Sequence, residues 1–150
     1  MESSEWARNS LEAVEQERAE SARRYVVPRG YDVAMGAAVT LLVMGLSLNA
    51  GDVAKQVWFG PTIGGLALLL WQVRRFIAAN GTWISGLTAG PTRWVAASGL
   101  AVEVAGFALA IYAGSQQQWL LVVVVSAVTG AVIGWTSHRW SEVYRQSLGG

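Results

Sequence analysis

The sequence predicts an all-α fold, a four-helix transmembrane bundle that follows an N-terminal amphipathic cytoplasmic helix. Four apolar runs each have close to the ~20 residues that a helix needs to cross the hydrocarbon of a bilayer. Charged residues make up only 14% of the chain, against ~25% in soluble domains. More than half of them lie in residues 1–29, which hold six Glu and five Arg. A stack of buried soluble helices is excluded because the four runs have no polar face to offer to water.

The first 29 residues are predicted to form a cytoplasmic helix and a linker. Residues 3–26 contain no Gly or Pro and are rich in Ala, Glu, Arg and Leu, which favours a helix, and Pro28 with Gly30 ends it. Acids outnumber bases before Pro28, so the segment should bind an anionic membrane surface only weakly. We expect it to dock on a cytoplasmic protein partner or on a loop of its own chain. Residues at helical spacing form one weakly apolar face: Ala7, Leu11, Val14, Arg18, Ala22 and Tyr25.

The transmembrane domain is predicted to cover residues 30–140 and to be followed by a tail at 141–150. Basic residues set its orientation, because short cytoplasmic loops are enriched in Lys and Arg. The first loop holds only Lys55 and the third, residues 114–118, holds none, so ten of the 11 Lys and Arg residues lie on the other side. The sequence therefore predicts a multi-pass protein of the cell (inner or plasma) membrane with both termini in the cytoplasm. The four spans lie at about 31–50, 57–73, 94–113 and 119–137.

Glu103 is the one acid predicted to lie deep in the membrane. It comes nine residues into the third span, roughly 13–15 Å from the boundary at 1.5 Å per residue. An ionised carboxylate at that depth costs at least ~2.5–3.5 kcal/mol on insertion scales, so it should face protein or water. The other residues of its helical face are small, which allows helices to approach closely: Ala96, Gly99, Gly106 and Ala110.

Two interpretations of Glu103 stay open at this point. It is either a proton- or cation-responsive site, or a protonated carboxyl that forms a hydrogen bond with a neighbouring helix. No Lys or Arg lies inside the spans as a counter-ion, which favours the neutral form at rest. Hydroxyl groups at similar depth are candidate partners in a proton or ligand site: Thr40, Thr62, Ser126 and Thr129.

Glycines at helical spacing predict close helix packing in the third and fourth spans. Ser126, Gly130 and Gly134 follow one another at four-residue intervals, and Gly99 and Gly106 share the face of Glu103. The pattern is common to membrane bundles and does not tell contacts within one chain from contacts between chains. Because four short helices enclose little volume, we expect a homodimer in contact with membrane lipid.

Asp32 and His138 are predicted to lie at the cytoplasmic interface. Asp32 stands beside Arg29, so an ion pair or a favourable charge at a helix N-terminus explains it. His138 is the only His in the chain and follows the fourth span next to Arg139. A lone interfacial His rarely binds a metal, and haem in a membrane bundle commonly uses two, so no cofactor or metal is expected.

Several chemistries are unlikely on composition. The chain has no Cys, which excludes disulfides, thiol catalysis and thiolate metal sites. No His or Lys lies at intramembrane depth to activate a Ser or Thr hydroxyl. The Gly-rich stretch around Pro61 lacks the Lys of a phosphate-binding loop, and no basic patch offers a surface for nucleic acid. We therefore expect neither an enzyme nor a nucleic-acid-binding protein.

The chain opens with Ala7-Arg8-Asn9-Ser10-Leu11-Glu12 and continues through Arg18 to Pro28-Arg29-Gly30-Tyr31. This opening resembles that of small four-span membrane proteins predicted from actinobacterial genomes, which are similar in size and layout. That resemblance implies a charged helix before four spans and no established activity. Small multidrug-resistance transporters are similar in architecture, being four-span dimers with one membrane Glu, but theirs is in the first span and they lack the charged helix.

Two hypotheses for function follow from these observations. The leading one is a non-enzymatic structural or regulatory membrane protein that acts through helix–helix contacts and its cytoplasmic helix. The alternative is a small dimeric transporter or binding protein for hydrophobic or cationic compounds, with Glu103 as the coupling carboxylate. A polar path from Glu103 to one membrane face would favour the alternative, whereas dry packing around it would favour the first.

Overall fold

The structure is a computed structural model that describes residues 6, 8–13, 16, 20, 25–50, 59–81 and 92–147. All regular secondary structure among them is helical. The four long helices are each long and apolar enough to cross a membrane, which confirms the prediction of an all-helical, multi-pass membrane protein. They are α1 (Tyr31–Ala50), α2 (Phe59–Asn80), α3 (Thr92–Ser115) and α4 (Trp119–Ser147).

The described residues of the N-terminal segment have helical backbone and exposed side chains. Trp6 is 75% exposed and Leu11 is 62% exposed, so the bundle does not cover them. Tyr25 and Val26 have irregular backbone, and the prediction that the helix reaches residue 26 is therefore wrong at its end. The other members of the predicted apolar face lie outside the described residues, and the amphipathic character of this helix stays a prediction: Ala7, Val14, Arg18 and Ala22.

Two helices extend well beyond the predicted spans. The second continues through Arg74 and Arg75 to Asn80, and the fourth continues ten residues past 137 to Ser147. Hydropathy ends a span where charges begin, but the backbone ends only where a residue breaks it. Gly81, at a φ of 78°, ends α2 and donates its N–H to the carbonyl of Ile77 at 2.7 Å. In α4, Arg139 and Glu142 pair at 2.8 Å along the helix and support its extension.

Helix α1 occupies the centre of the arrangement. It packs antiparallel against α4 and α2 and parallel against α3, while α3 also packs antiparallel on α4. Burial agrees, since 44% of the apolar window of α1 is buried, against 17–22% in the other three helices. The bundle is therefore a trio of α1, α3 and α4 with α2 attached to α1. We call the end with Tyr31, Asn80 and Thr92 the near end, and the end with Ser115 and Trp119 the far end.

Small residues bring α1 and α4 into backbone contact. A Cβ added at Gly36 would lie 2.6 Å from the carbonyl oxygen of Gly130, and one at Gly134 would lie 2.9 Å from that of Asp32. Real side chains do not approach so closely, so only glycine fits these positions. On the α3–α4 contact, Gly99 lies against the methyl group of Thr136. The four glycines predicted to pack helices (Gly99, Gly106, Gly130 and Gly134) thus lie at contacts within this one chain.

Candidate functional site at the near end of α1 and α4

Residues 25–29, which we call the docked segment, lie against the near end of α2. The Asn80 side chain accepts the N–H of Val26 through Oδ1 at 2.9 Å and donates to the carbonyl of the same residue through Nδ2 at 2.9 Å. Arg75 donates through Nη1 to the carbonyl of Arg29 at 3.2 Å. Three hydrogen bonds from one helix therefore fix the chain just before it begins α1.

An aromatic cluster holds the docked segment on its other side. Tyr25 packs on Tyr144 with ring centroids 4.9 Å apart and on Phe76 at 6.1 Å, and Trp140 stacks on Tyr144 at 5.1 Å. Edge and stacked contacts at these distances add to the free energy of apolar burial. Burial raises the pKa of the Tyr25 phenol, and the neighbouring Ser141 hydroxyl and Arg145 charge act in the opposite direction. The cluster consists of Tyr25, Tyr31, Phe76, Trp140 and Tyr144 and joins the docked segment, α1, α2 and α4.

A polar cluster lies beside it, where α1 begins. Asp32 in the first turn of α1 accepts the hydroxyl hydrogen of Ser137 through Oδ1 at 2.7 Å. The other carboxylate oxygen, Oδ2, lies 3.2 Å from Nδ1 of His138. The second ring nitrogen of His138, Nε2, lies 3.4 Å from Oε1 of Glu142. The close approach at Gly134 is what allows α1 and α4 to bring Asp32 within reach of these two α4 side chains.

Of the two explanations predicted for Asp32, the charge at a helix N-terminus agrees with its place in the first turn of α1, and the ion pair with Arg29 is wrong. Among the described residues its partners are Ser137 and His138, and Arg29 forms no ion pair with it. The backbone turns at Gly30, which has a φ of 71°, and Arg29 remains exposed. Sequence proximity suggested the wrong partner because the correct ones are 105 and 106 residues away. The only sequence signal for them was the glycine spacing that makes α1 and α4 neighbours.

Asp32 and His138 form the head of an open groove between α1 and α4. The groove encloses about 650 Å³. It extends from Asp32 to Thr40, eight residues or roughly 12 Å along α1 at 1.5 Å per residue. Glycine and alanine side chains leave this space open because they project little from the two helices. Besides Asp32 and His138, its lining consists of Val33, Gly36, Ala37 and Thr40 on α1 and of Ala127, Gly130, Ala131, Gly134 and Trp135 on α4.

The polar cluster has the residue types of a hydrolase triad but not its geometry. In a triad the His takes the proton of the Ser hydroxyl, and the acid orients the far ring nitrogen. Here Ser137 donates to the acid itself, and the far nitrogen of His138 is directed at Glu142. Among the described residues no group of three His, Asp or Glu is placed to hold a metal ion. The arrangement holds a carboxylate in place and leaves its side chain 23% exposed.

Glu103 does not meet its predicted partners. It lies on α3 between Gly99 and Gly106, is partly exposed, and has no hydrogen bond or ion pair with any described residue. Thr40 donates instead to the carbonyl of Gly36 at 3.0 Å, and Thr129 donates to that of Val125 at 2.8 Å. Helical Thr hydroxyls commonly bond to the preceding turn in this way, which leaves no donor for a carboxyl.

The other two candidate hydroxyls form no hydrogen bond with Glu103 either. Thr62 lies against Gly45 at the α1–α2 contact. Ser126 is fully buried in α4, and its Oγ has no hydrogen-bond partner among the described residues. Three of the four hydroxyls thus lie at different helix contacts: Thr40 against Gly130, Thr62 against Gly45 and Thr129 against Gly106.

Comparisons with protein-family models, with curated proteins and with solved structures gave no match for this chain.

Proposed function

We propose that the protein is a non-enzymatic membrane protein that acts through helix–helix contacts and presents its N-terminal segment to a cytoplasmic protein. The observation that carries this proposal is the fixed position of residues 25–29 on α2 and α4. Asn80 binds both backbone groups of Val26, and the aromatic cluster encloses Tyr25. A segment held at its base projects from a defined point of the bundle, as a recognition element requires. The wrong order of Ser137, Asp32 and His138 for nucleophile activation supports a non-catalytic role.

Exposed apolar side chains in the N-terminal segment support a partner. Trp6 and Leu11 have helical backbone and are mostly exposed, although burying either would be favourable. Exposed aromatic and aliphatic anchors of this kind are what partners bind in helix-in-groove recognition. Acids on the same segment favour a partner with a basic rim.

Site-specific photo-cross-linking in the native membrane tests this function. A photoreactive residue at Leu11 should give a discrete protein adduct, whereas one at Leu120, an exposed residue at the far end, should not. Asn80→Ala removes both bonds to Val26 and should weaken the Leu11 adduct several-fold. Ser115→Ala at the far end is the matched control and should leave it unchanged. Identical adduct patterns from positions 11 and 120, or no adduct at 11, would refute the proposed role.

The near end is proposed to face the cytoplasm, because ten of the 11 basic residues lie on that side. The chain has no Cys, so single cysteines at Gln117 and Ser147 report topology without background. A membrane-impermeant thiol reagent on intact cells should label position 117 and not position 147. Labelling of 147 alone would invert the orientation, and labelling of both would contradict an even number of spans.

A second copy of the chain is the proposed partner inside the membrane. Glu103 is partly exposed on α3 and has no partner among the described residues, yet intramembrane acids normally face protein or water. A second copy packed on α3 would cover it. Mass measurement in mild detergent and in lipid nanodiscs should give a dimer, and Glu103→Leu should weaken it. A monomer in both media would refute the homodimer.

The same exposed carboxyl favours one further candidate function, the binding or transport of hydrophobic or cationic compounds at Glu103. A carboxyl group must be ionised to bind a cation, and the glutamine side chain of Glu103→Gln cannot ionise. Thermal stability of both proteins should be compared with and without hydrophobic cations. Wild type should gain cation-dependent stability, and the variant should not. Identical curves would remove this candidate.

A further inference from the structure

We infer that the groove between α1 and α4 binds a phospholipid whose headgroup ends in a primary ammonium, as in phosphatidylethanolamine. One acyl chain lies along the glycine and alanine floor, and the ammonium contacts the carboxylate of Asp32. This binding site is separate from Glu103 and from the N-terminal segment, and so goes beyond the functions proposed above.

The length and position of the groove match one leaflet. It begins at Asp32, in the first turn of α1, and ends near Thr40 after roughly 12 Å. Half of a ~30 Å hydrocarbon core is ~15 Å, so the groove extends from the headgroup level to about mid-membrane. Ala37 and Ala131 line it and are exposed, which leaves it open to the bilayer along its side. An acyl chain has the shape to fill such a groove, and its contact with the apolar floor is more favourable than the contact of that floor with water.

The charge at the head of the groove selects the headgroup. Asp32 has no Lys or Arg partner among the described residues, and its only side-chain partners are Ser137 and His138. An ionised carboxylate has about four lone-pair sites, and these two donors use only part of them. An ammonium carries three N–H donors and the opposite charge, and the attraction is stronger at the low-dielectric edge of a membrane than in water.

The residues around Asp32 favour a zwitterionic lipid over an anionic one. Trp135 is exposed beside the groove, at the level where aromatic rings contact headgroups. An anionic headgroup without an ammonium would place its charge against Asp32. A quaternary ammonium has no N–H to donate, so the carboxylate should prefer a primary one.

Lipid competition in nanodiscs tests the inference. The full chain is placed in discs containing equal amounts of phosphatidylethanolamine, phosphatidylcholine and phosphatidylglycerol, and the retained lipids are read by native mass spectrometry. Phosphatidylethanolamine should be retained about tenfold more than either of the other two lipids, as expected for one charge-assisted hydrogen-bond contact. Retention in proportion to the disc composition would overturn the proposal, and so would a preference for either other lipid.

Two variants separate the headgroup contact from the acyl groove. Asp32→Asn keeps an acceptor for Ser137 but loses the charge, so selectivity among the three lipids should disappear. Ala131→Leu fills the groove from an exposed position and should lower the retention of every lipid. The matched control for Ala131→Leu is Ala101→Leu, at an exposed alanine of α3, and it should behave as wild type.

The outcomes distinguish this site from the other proposals. Unchanged lipid selectivity in Asp32→Asn, or its loss in Ala101→Leu, would overturn the assignment of the headgroup contact to Asp32. A dimer mass that replaces the lipid adduct in wild type would show that a second copy occupies the groove, and would overturn it as well. Cross-linking from Leu11 depends on the docked segment and should not change in Ala131→Leu, so failure of one proposal does not imply failure of the other.

Discussion

Asp32 and Glu103 are two acids on apolar helices, and they differ in the side chains that contact them. Asp32 begins α1 and holds contacts to two side chains of α4. Glu103 lies in the middle of α3 and has no partner within the described part of the chain. A charge in the middle of a transmembrane helix costs more than one at its end, so Glu103 is the more costly acid. The polar contacts of a site nevertheless surround Asp32, at the end of its helix. Burial cost and functional surroundings are therefore separate properties of an intramembrane acid.

The difference originates in how each helix meets α4. At the α1–α4 contact, glycines remove the side chains between the two backbones, and Ser137 and His138 reach Asp32 across the gap. At the α3–α4 contact, Gly106 lies against Thr129, whose hydroxyl is already bonded to Val125. Close packing alone does not supply a hydrogen-bond donor, since the donor must also be free of its own helix.

The largest expected effect comes from adding a methyl group to each contact. In Gly130→Ala the new Cβ would meet the Gly36 carbonyl, which is backbone and cannot rotate away, so we expect a loss of about 3 kcal/mol in the free energy of unfolding. In Gly106→Ala it would meet the Thr129 side chain, which can change rotamer, and the expected loss is about 1 kcal/mol. Reversible unfolding in mixed micelles measures both, with Gly60→Ala as a control because no described atom lies within 4 Å of its new Cβ. Equal losses at 106 and 130 would contradict the distinction between the two contacts.

Removing the Asp32 carboxylate should have the next largest effect. Asp32→Ala leaves Ser137 and His138 without their acceptor, which costs about 1–3 kcal/mol in the free energy of unfolding, and Asp32→Asn should cost less. A double-mutant cycle with Ser137→Ala should give a coupling of about 1 kcal/mol. The same cycle with Arg29→Ala should give a coupling near zero. Strong coupling to Arg29 would restore the ion pair that the sequence suggested.

Substitution of Glu103 should change the free energy of unfolding only slightly, or raise it. Glu103→Gln keeps the size of the side chain and breaks no contact to a described residue, so we expect a change within about 0.5 kcal/mol. Glu103→Leu removes a polar group from mid-membrane and should raise the free energy of unfolding in a monomeric preparation. A loss as large as that of Asp32→Ala would show that Glu103 has a partner, and would remove the contrast between the two acids.

The four-span architecture could be predicted because it depends on local composition. Runs of about 20 apolar residues identify the spans wherever the bundle places them. Helix ends were less predictable, because a hydropathy pattern ends at Arg74 or His138 while the backbone remains helical to Asn80 and Ser147. An Asn-Gly pair marks a turn, and Asn80-Gly81 does end α2.

The polar site could not be predicted because it depends on the relative rotation of two helices. Asp32 and His138 are 106 residues apart, and only the register set by Gly36, Gly130 and Gly134 brings them together. The sequence indicated that Gly130 and Gly134 pack helices, but it did not single out Gly36 or indicate which helix meets which. The place of Glu103 in the middle of its helix could be read from the sequence. That the hydroxyls of Thr40 and Thr129 bond to their own helices could not.

The smallest expected effect is a difference in how the charges of Asp32 and Glu103 act on the pKa of Tyr25. Burial is the largest cause of the raised pKa of Tyr25, because the phenolate loses solvation in the aromatic cluster, and the negative charge of Asp32 raises it a little further. Removing that charge favours the phenolate, so Asp32→Asn should lower the pKa of Tyr25, which burial still keeps above the usual value. Glu103→Gln should leave it unchanged, since Glu103 does not contribute to it.

Carbon-13 NMR of tyrosines labelled at Cζ measures this shift, and Tyr25→Phe assigns the signal among the four Tyr residues. The same variant tests the sign of the linkage to stability. A raised pKa means that the folded chain keeps the proton longer than the unfolded chain, so this contribution is complete below the usual tyrosine pKa of about 10 and decreases as the pH rises above it. Tyr25→Phe should therefore lose less stability than wild type between neutral and strongly alkaline pH. If Asp32→Asn and Glu103→Gln change the pKa of Tyr25 equally, the two carboxylates have the same electrostatic effect on the near end. That result would contradict the contrast between them.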